Sequence, residues 1–324
     1  MANSNMLMVY IQCSGTAPIN ASLEALSKAV ELAKAKSLEV AAVLIGKFDG
    51  NTENVCKEFG ASKIIEVAQN GYNIQSAGEA LYGLVEKYAP LAVFAGAASE
   101  GKEITAYAAA KFGVTPVSNV CGVKIESDLE FTIALYGGAV LRDINLKSDK
   151  TKFVVLSAGA FKKAPNPAAN AEIVKESFPD AEKDLRAIIK ESVSEIAESV
   201  NLEEAEVIIA CGRGMGTEEG LKLLNELAKV LGGAIGATRP VTESGLVAKT
   251  QQVGQSGKIV SPKLYIGCGV SGAVQHISGI LGSNYIVAIN KDEDAAIFDV
   301  ADVGIVGDGM AVVPLLIEEI KKIK

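Results

Sequence analysis

A chain of 324 residues is long enough for two domains. Hydrophobic residues make up 49% of it but aromatics only 5%, with no Trp, so its core must be aliphatic, as in parallel sheets covered by helices. Lys and Arg number 31 against 39 Asp and Glu, and the resulting net charge of −8 speaks against nucleic acid or an anionic membrane surface as the main partner.

In chain order, the start MANSNMLMVYIQ has no basic flank and no small-residue cleavage site, so it reads as a first strand over residues 6–13, not an export signal. No apolar run approaches the roughly 18 residues that span a bilayer. A soluble, cytoplasmic protein is the expectation. Short apolar runs at 40–46, 64–67 and 91–96 alternate with amphipathic stretches, the first beginning near Ser22 with Leu23, Leu26, Val30 and Ala33 at helical spacing. This rhythm predicts a mainly parallel sheet covered on both faces. It changes at 117–125, 131–136 and 153–156, three strand-like runs without helices between them, which predict a β-rich, antiparallel ending to the first domain. Residues 162–181 are weakly patterned.

The alternation restarts after a charged stretch. The division is 1–192, a linker at 193–204, and 205–324. In the second part 207–211, 264–269, 285–289 and 303–306 read as strands. A helix at 217–231 ends at Gly232-Gly233, and a last helix has Pro314 near its start and lysines at its end. The fold class is thus α/β in two domains, the second doubly wound.

Five cysteines (13, 56, 121, 211, 268) form no CxxC pair, and His276 is the only histidine, so neither a disulfide framework nor a metal site is expected. Three glycine-rich turns follow strands, where helix N-termini can meet anions. Gly96 to Lys102 matches GxxxxGK, but Glu103 stands where a phosphate loop needs Ser or Thr. Gly212-Arg213-Gly214-Met215-Gly216-Thr217 departs from a dinucleotide fingerprint at its last position. Gly267 to Gly272 leads toward His276, with Ser271 placed as a helix N-cap. Between the last two lies a stretch rich in hydrogen-bonding residues, TRPVTESG at 238–245 and QVGQSGK at 252–258. Arg239 precedes Pro240, which favours an extended backbone there.

Gly212-Arg213-Gly214, Thr238-Arg239-Pro240, QVGQSGK at 252–258, GVSGAVQH at 269–276, AINKD at 288–292, VADVGIVGD at 300–308 and VVP at 312–314 together resemble the α subunit of electron-transfer flavoprotein, in order and in spacing. The first part agrees more loosely, with Gly101-Lys102-Glu103 where relatives often carry Gly-Arg-Asp. The resemblance implies an FAD in the second domain and a β subunit that carries FAD or AMP and is contacted by the first domain. An acyl-CoA dehydrogenase-type flavoenzyme would be a redox partner, and ferredoxin or a quinone-linked acceptor another. It implies that Arg239 lies over the isoalloxazine, that Ser256 directs its hydroxyl at N5, and that His276 reaches the O2 side. Gln252, Val253, Gly254, Gln255, Ser271, Gly272, Ala273, Val274 and Gln275 would contact the ring, ribityl chain or pyrophosphate. Arg213, Thr238, Asn290 and Asp308 would complete the set. Arg239 and His276 would stabilise the negative charge that reduction builds near N1–C2=O. No residue is needed as nucleophile or base, so the chain would be an electron carrier. Ser256 replaces a threonine common in the family, Thr238 a serine, and Gly309 a larger apolar residue. Pro240 resembles the form found in members from anaerobes, which implies NADH-dependent electron bifurcation, with a simple shuttle as the alternative. A regulatory nucleotide-binding protein, resting on Gly96 to Lys102 alone, and a scaffold whose glycine loops only serve turns are the competing readings.

Overall fold

The computed structural model describes residues 5–69, 73–168, 170–178 and 202–323. They fall into two compact units. Of the linker expected at 193–204, residues 193–201 lie outside the described residues. Among the described residues no helix is long and apolar enough to cross a membrane.

In the first unit the elements are β1 (Met6–Tyr10), the small hairpin β2 (Cys13–Ser14) and β3 (Ala17–Pro18), α1 (Asn20–Lys36), β4 (Glu39–Gly46), α2 (Gly50–Glu58), β5 (Lys63–Ala68), α3 (Ile74–Tyr88), β6 (Ala92–Gly96) and α4 (Ser99–Phe112). Then come β7 (Val117–Ile125), β8 (Leu129–Leu135), β9 (Val140–Asn145), β10 (Lys152–Leu156) and β11 (Glu172–Glu176). Nine strands make one sheet in the order β11-β5-β4-β1-β6-β10-β7-β8-β9. Neighbours are parallel as far as β7, and β8 and β9 add an antiparallel ending; the run at 153–156 expected in that ending is instead β10, a parallel strand between β6 and β7. Alternation along β1 divides the core. Leu7 and Val9 pack with Leu23, Leu26 and Val30 of α1, while Met6, Met8 and Tyr10 pack with Leu81 and Leu84 of α3 and Ile104 of α4.

The second unit contains β12 (Val207–Cys211), α5 (Glu218–Leu231), β13 (Ala234–Ala237), α6 (Arg239–Glu243), β14 (Leu264–Cys268), α7 (Val274–Ile277), β15 (Ile286–Asn290), β16 (Val303–Val306) and α8 (Gly309–Ile323). Its parallel sheet has the order β13-β12-β14-β15-β16. On one face Ile209, Ile266 and Ile289 pack against Leu224 and Leu227 of α5 and Val313 and Ile317 of α8. On the other, Ile208, Tyr265 and Ala288 are covered by loop residues, among them Val253, Val260, Val270 and Ile297. Helix α5 starts at Thr217, whose hydroxyl accepts from Gly220 N, and ends at Gly232 with φ +71°.

Several expectations shift. β9, β11 and β13 are strands that periodicity did not announce. The charged Glu172–Glu176 sits at the sheet edge beside β5, and Ala234–Ala237 is short and small-residued. Pro314 lies inside α8, which begins five residues earlier at Gly309 with Asp308 Oδ1 accepting from Met310 N. Ser271 is not an N-cap: Ala273 precedes α7, and no side chain caps it. Arg239 is not extended but opens α6, and the extended residue is Thr238, with ψ 157°.

Candidate functional site

The chain leaves β12 to build β13 on one side and then returns to place β14 on the other. At such a reversal the loops leaving two neighbouring strands diverge and open a crevice at their carboxyl ends. Here those loops begin at Gly212 and Gly269, where the two backbones touch. A Cβ on Gly212 would stand 2.1 Å from Gly269 O, and one on Gly269, at φ +66°, would stand 2.8 Å from Gly214 Cα. Gly212 N and Gly214 N donate across the contact to Cys268 O and Gly269 O at 2.9 and 3.1 Å. Two amides of the fingerprint-like turn are therefore spent on the neighbouring loop. Arg213 stays exposed beside them.

Beyond β13 the polar segment docks on the turn that carries His276. Val253 N donates to Ala237 O at 2.9 Å, Gln255 N to Gln275 O at 2.7 Å, and Val260 N to Gly279 O at 2.8 Å. The approach again needs glycine. A Cβ on Gly254, at φ +134°, would lie 2.8 Å from Gln275 O, and one on Gly279 would lie 2.5 Å from Gly254 Cα. Gly272, at φ +87°, is closed in by Ile297 N at 2.2 Å from its Cβ position. The expected motifs at 252–258 and 269–276 thus form one backbone-bonded unit. It leaves Gln255, Ser256, Ser271, Ala273, Val274 and Gln275 exposed and Gln252, Val253, Gly254, Gly272 and His276 buried.

The side chains divide in the same way. Gln252 is 4% exposed; its Oε1 accepts from Thr242 Oγ1 at 2.8 Å and its Nε2 donates to Ser256 Oγ at 3.0 Å. Arg239 is exposed and paired with Glu243 through Nε at 2.7 Å. Thr238 Oγ1 is buried and finds no hydrogen-bond partner among the described residues. Asn290 is nearly buried, with Nδ2 donating to Val270 O at 2.8 Å and Oδ1 accepting from Asp292 N at 3.1 Å, so its amide braces the loop after β14. Asp308 is exposed at the head of α8.

His276, which the resemblance has reaching the O2 side of a flavin, is turned into the protein. It is 6% exposed, and both ring nitrogens are used within the protein. Nδ1 lies 3.1 Å from Val253 O and Nε2 lies 2.6 Å from the Tyr265 hydroxyl. A carbonyl oxygen only accepts, so the proton sits on Nδ1, and Nε2 accepts from the Tyr265 O–H. Burial pushes the imidazole pKa below its ordinary value, with the Val253 bond acting against it. Burial also holds the Tyr265 phenol well above its own, so it stays a donor. The ring is neutral and pins Val253. Tyr265 is the partner that sequence reasoning missed. It lies on β14, eleven residues before His276, and only strand alternation marks it as inward.

The glycines of Gly96 to Lys102 in the first unit serve packing. A Cβ on Gly101 would meet Gly96 O at 2.3 Å, and Gly101 N donates to Gln12 Oε1 at 3.3 Å. Beside them a cavity of about 230 Å³ is lined by Tyr10, Cys13, Lys47, Gln69 and Glu100. Glu100 accepts from the Tyr10 hydroxyl at 3.1 Å, and burial, with Glu103 adding, raises its pKa. A carboxylate occupies the place where a phosphate loop offers open amides.

With this geometry in place, residues 201–281 match the model of the electron transfer flavoprotein FAD-binding domain and residues 8–181 that of the electron transfer flavoprotein domain. The chain is 38% identical over 316 residues to an electron transfer flavoprotein subunit alpha of Thermoanaerobacterium thermosaccharolyticum, covering 94% of each. Like-named proteins of Bacillus subtilis and Megasphaera elsdenii are each 36% identical, over 88% of both chains for the first and over 94% of this chain and 92% of the relative for the second.

Two outcomes test the local physics. Gly254→Ala must place a side chain against Gln275 O in a left-handed backbone, and should cost about 1–3 kcal/mol, read as a lower urea midpoint. An unchanged midpoint would refute the close approach. For His276, the unfolded chain takes up a proton near 6.5 while the folded ring resists it. Stability is therefore complete above that value and declines as pH falls below it toward the lowered folded pKa. In His276→Gln the fall in thermal midpoint across this window should be shallower, and equal slopes would contradict the buried neutral ring.

Proposed function

This chain belongs to the electron transfer flavoprotein alpha-subunit family, and from that premise we propose that its second domain holds FAD and carries electrons within a heterodimer with a β subunit. The observation that supports this most is the unit made by 252–258 and 269–276 at the carboxyl edge of the second sheet. After its internal bonds are made, Gln255, Ser256 and Gln275 remain exposed there. The residues fit the group. Thr238 Oγ1 is a buried hydroxyl still without a partner among the described residues, Arg213 and Arg239 supply cations for a pyrophosphate or an electron-rich ring, and the glycines let backbone come close.

When bound, FAD supplies one- and two-electron redox chemistry. Around it, Arg239 would stabilise negative charge near N1–C2=O, and Ser256 would offer a hydroxyl to N5. Gln252, Val253, Gly254 and Gln255, with Ser271, Gly272, Ala273, Val274 and Gln275, would shape the cradle. Arg213, Thr238, Asn290 and Asp308 would hold the remainder. His276 would act on the cofactor through Val253, by fixing the loop that carries Ser256. The division into 1–192 for β-subunit contact, 193–204 as a hinge, and 205–324 for FAD belongs to the same proposal. So do FAD or AMP in the β subunit, an acyl-CoA dehydrogenase as partner, and ferredoxin or a quinone-linked acceptor. Pro240 at the head of α6 favours the NADH-dependent bifurcating form over the simple shuttle.

Purified with its β subunit, the complex should be yellow and release FAD on denaturation. Arg239→Ala should lower the first flavin potential by about 60–130 mV, the one-electron equivalent of the roughly 1.5–3 kcal/mol of a charge-assisted hydrogen bond. A potentiometric titration that does not move would remove Arg239 from its role. For bifurcation, NADH should reduce ferredoxin only while an enoyl-CoA is reduced. Ferredoxin reduction without the enoyl-CoA, or none with it, would leave the simple shuttle.

A further inference from the structure

Thr242, Gln252 and Ser256 form a chain of three polar side chains, and the geometry of its first member is ambiguous in a useful way. Thr242 Oγ1 lies 2.8 Å from Gln252 Oε1 and 3.0 Å from Arg239 O, two acceptors for a hydroxyl with one proton. The two bonds are alternatives. If the proton goes to Gln252, the amide Nε2 donates to Ser256 Oγ at 3.0 Å, and the Ser256 proton is free to point outward as a donor. If it goes to Arg239 O, Thr242 Oγ1 becomes an acceptor. The Gln252 amide, turned end for end, then gives its N–H to Thr242 and its oxygen to the Ser256 hydroxyl. Ser256 now donates inward and presents a lone pair outward.

In both arrangements the contacts among these three side chains pair a donor with an acceptor, as the buried Gln252 amide requires. The heavy-atom movement needed is confined to one side-chain torsion. The terminal amide torsion of Gln is broad and two-fold, whereas the stem of Gln252 is fixed. Its N donates to Lys249 O at 3.1 Å, its O accepts from Lys258 N at 2.8 Å, and a Cβ on Gly257 would already stand 3.0 Å from its Cγ.

We propose that Thr242 and Gln252 form a two-state hydrogen-bond relay that lets Ser256 donate to an unprotonated flavin N5 and accept from the N–H present there after two electrons from a partner flavoenzyme and a proton from solvent have been taken up. The relay itself transfers no net proton. This rests on the reading that FAD lies against Ser256. Thr242 acts as a positioning residue: without its hydroxyl one end of the buried amide lacks a partner in either orientation, and the exchange loses its balance.

The test uses the holo complex with its β subunit. Flavin absorbance is read first, and a colourless wild-type complex rejects the cofactor reading together with the relay. In a yellow complex labelled at the glutamine side-chain amide, the reduced-minus-oxidised infrared spectrum should show a label-sensitive band pair that Q252M abolishes. T242V should remove that pair and change the ratio of reduced to oxidised flavin affinity by about fivefold, one net hydrogen bond's worth. T242S should restore both. A flavin-bound wild type with a silent glutamine region, or a band pair that survives T242V, overturns the relay and leaves FAD binding intact. Should T242V fail to fold, the labelled wild-type and Q252M spectra decide alone, and a silent wild type overturns the proposal.

Discussion

Direct contact between backbones, made at glycines, is the constraint on which the second unit's site depends. Gly212 meets Gly269 where the sheet order reverses, and Gly254 meets Gln275 and Gly279 where the polar segment docks. Each contact replaces side-chain packing with main-chain hydrogen bonds, such as Gln255 N to Gln275 O. The result is an edge where loops are held by main-chain hydrogen bonds although helices are short. α6 and α7 have five and four residues, too short to be stable by helix formation itself. Their positions follow from the strands and from these contacts.

Under that edge lies a second layer of hydrogen-bonded polar groups, buried at Tyr265, His276 and Gln252 and reaching the surface at Ser256. Tyr265, His276 and Val253 form one line of hydrogen bonds, and Thr242, Gln252 and Ser256 another. The first line is fixed: only one tautomer satisfies a carbonyl on one side and a protonated phenol on the other. The second is balanced between two arrangements, because hydroxyls and a primary amide can each donate or accept. A cradle for a group that changes protonation gains from having both, one to hold the loop and one to follow the ligand.

Much of the fold was legible from period and punctuation. β1, β4, β6 and β12 are near-continuous apolar runs because both faces of a parallel sheet are covered, and Gly232 closes α5 as its position announced. β11 was not legible, since Glu172–Glu176 is charged and stands at a sheet edge, where hydrophobic pattern is weak. β13 was hidden by its brevity and small residues. Of the candidate site, the motifs marked two segments that the fold brings together, but not which atoms face outward. Ser271 looked like a cap and is not one, and nothing in the sequence signalled that both nitrogens of His276 are bound within the protein.

The sequence by itself determined the two α/β units, the family, and the loops at the carboxyl edge of the second sheet, because each depends on local pattern or on motifs in fixed order. Tertiary structure alone decided how those loops are used. Tyr265 and Val253 claim the one imidazole, Thr242 reaches Gln252 across ten residues, and Gly101 packs against Gly96 O instead of cradling a phosphate. The physical reason is that a hydrogen bond is satisfied by whatever atom is near in space, and in this chain the nearest partners come from other strands and turns.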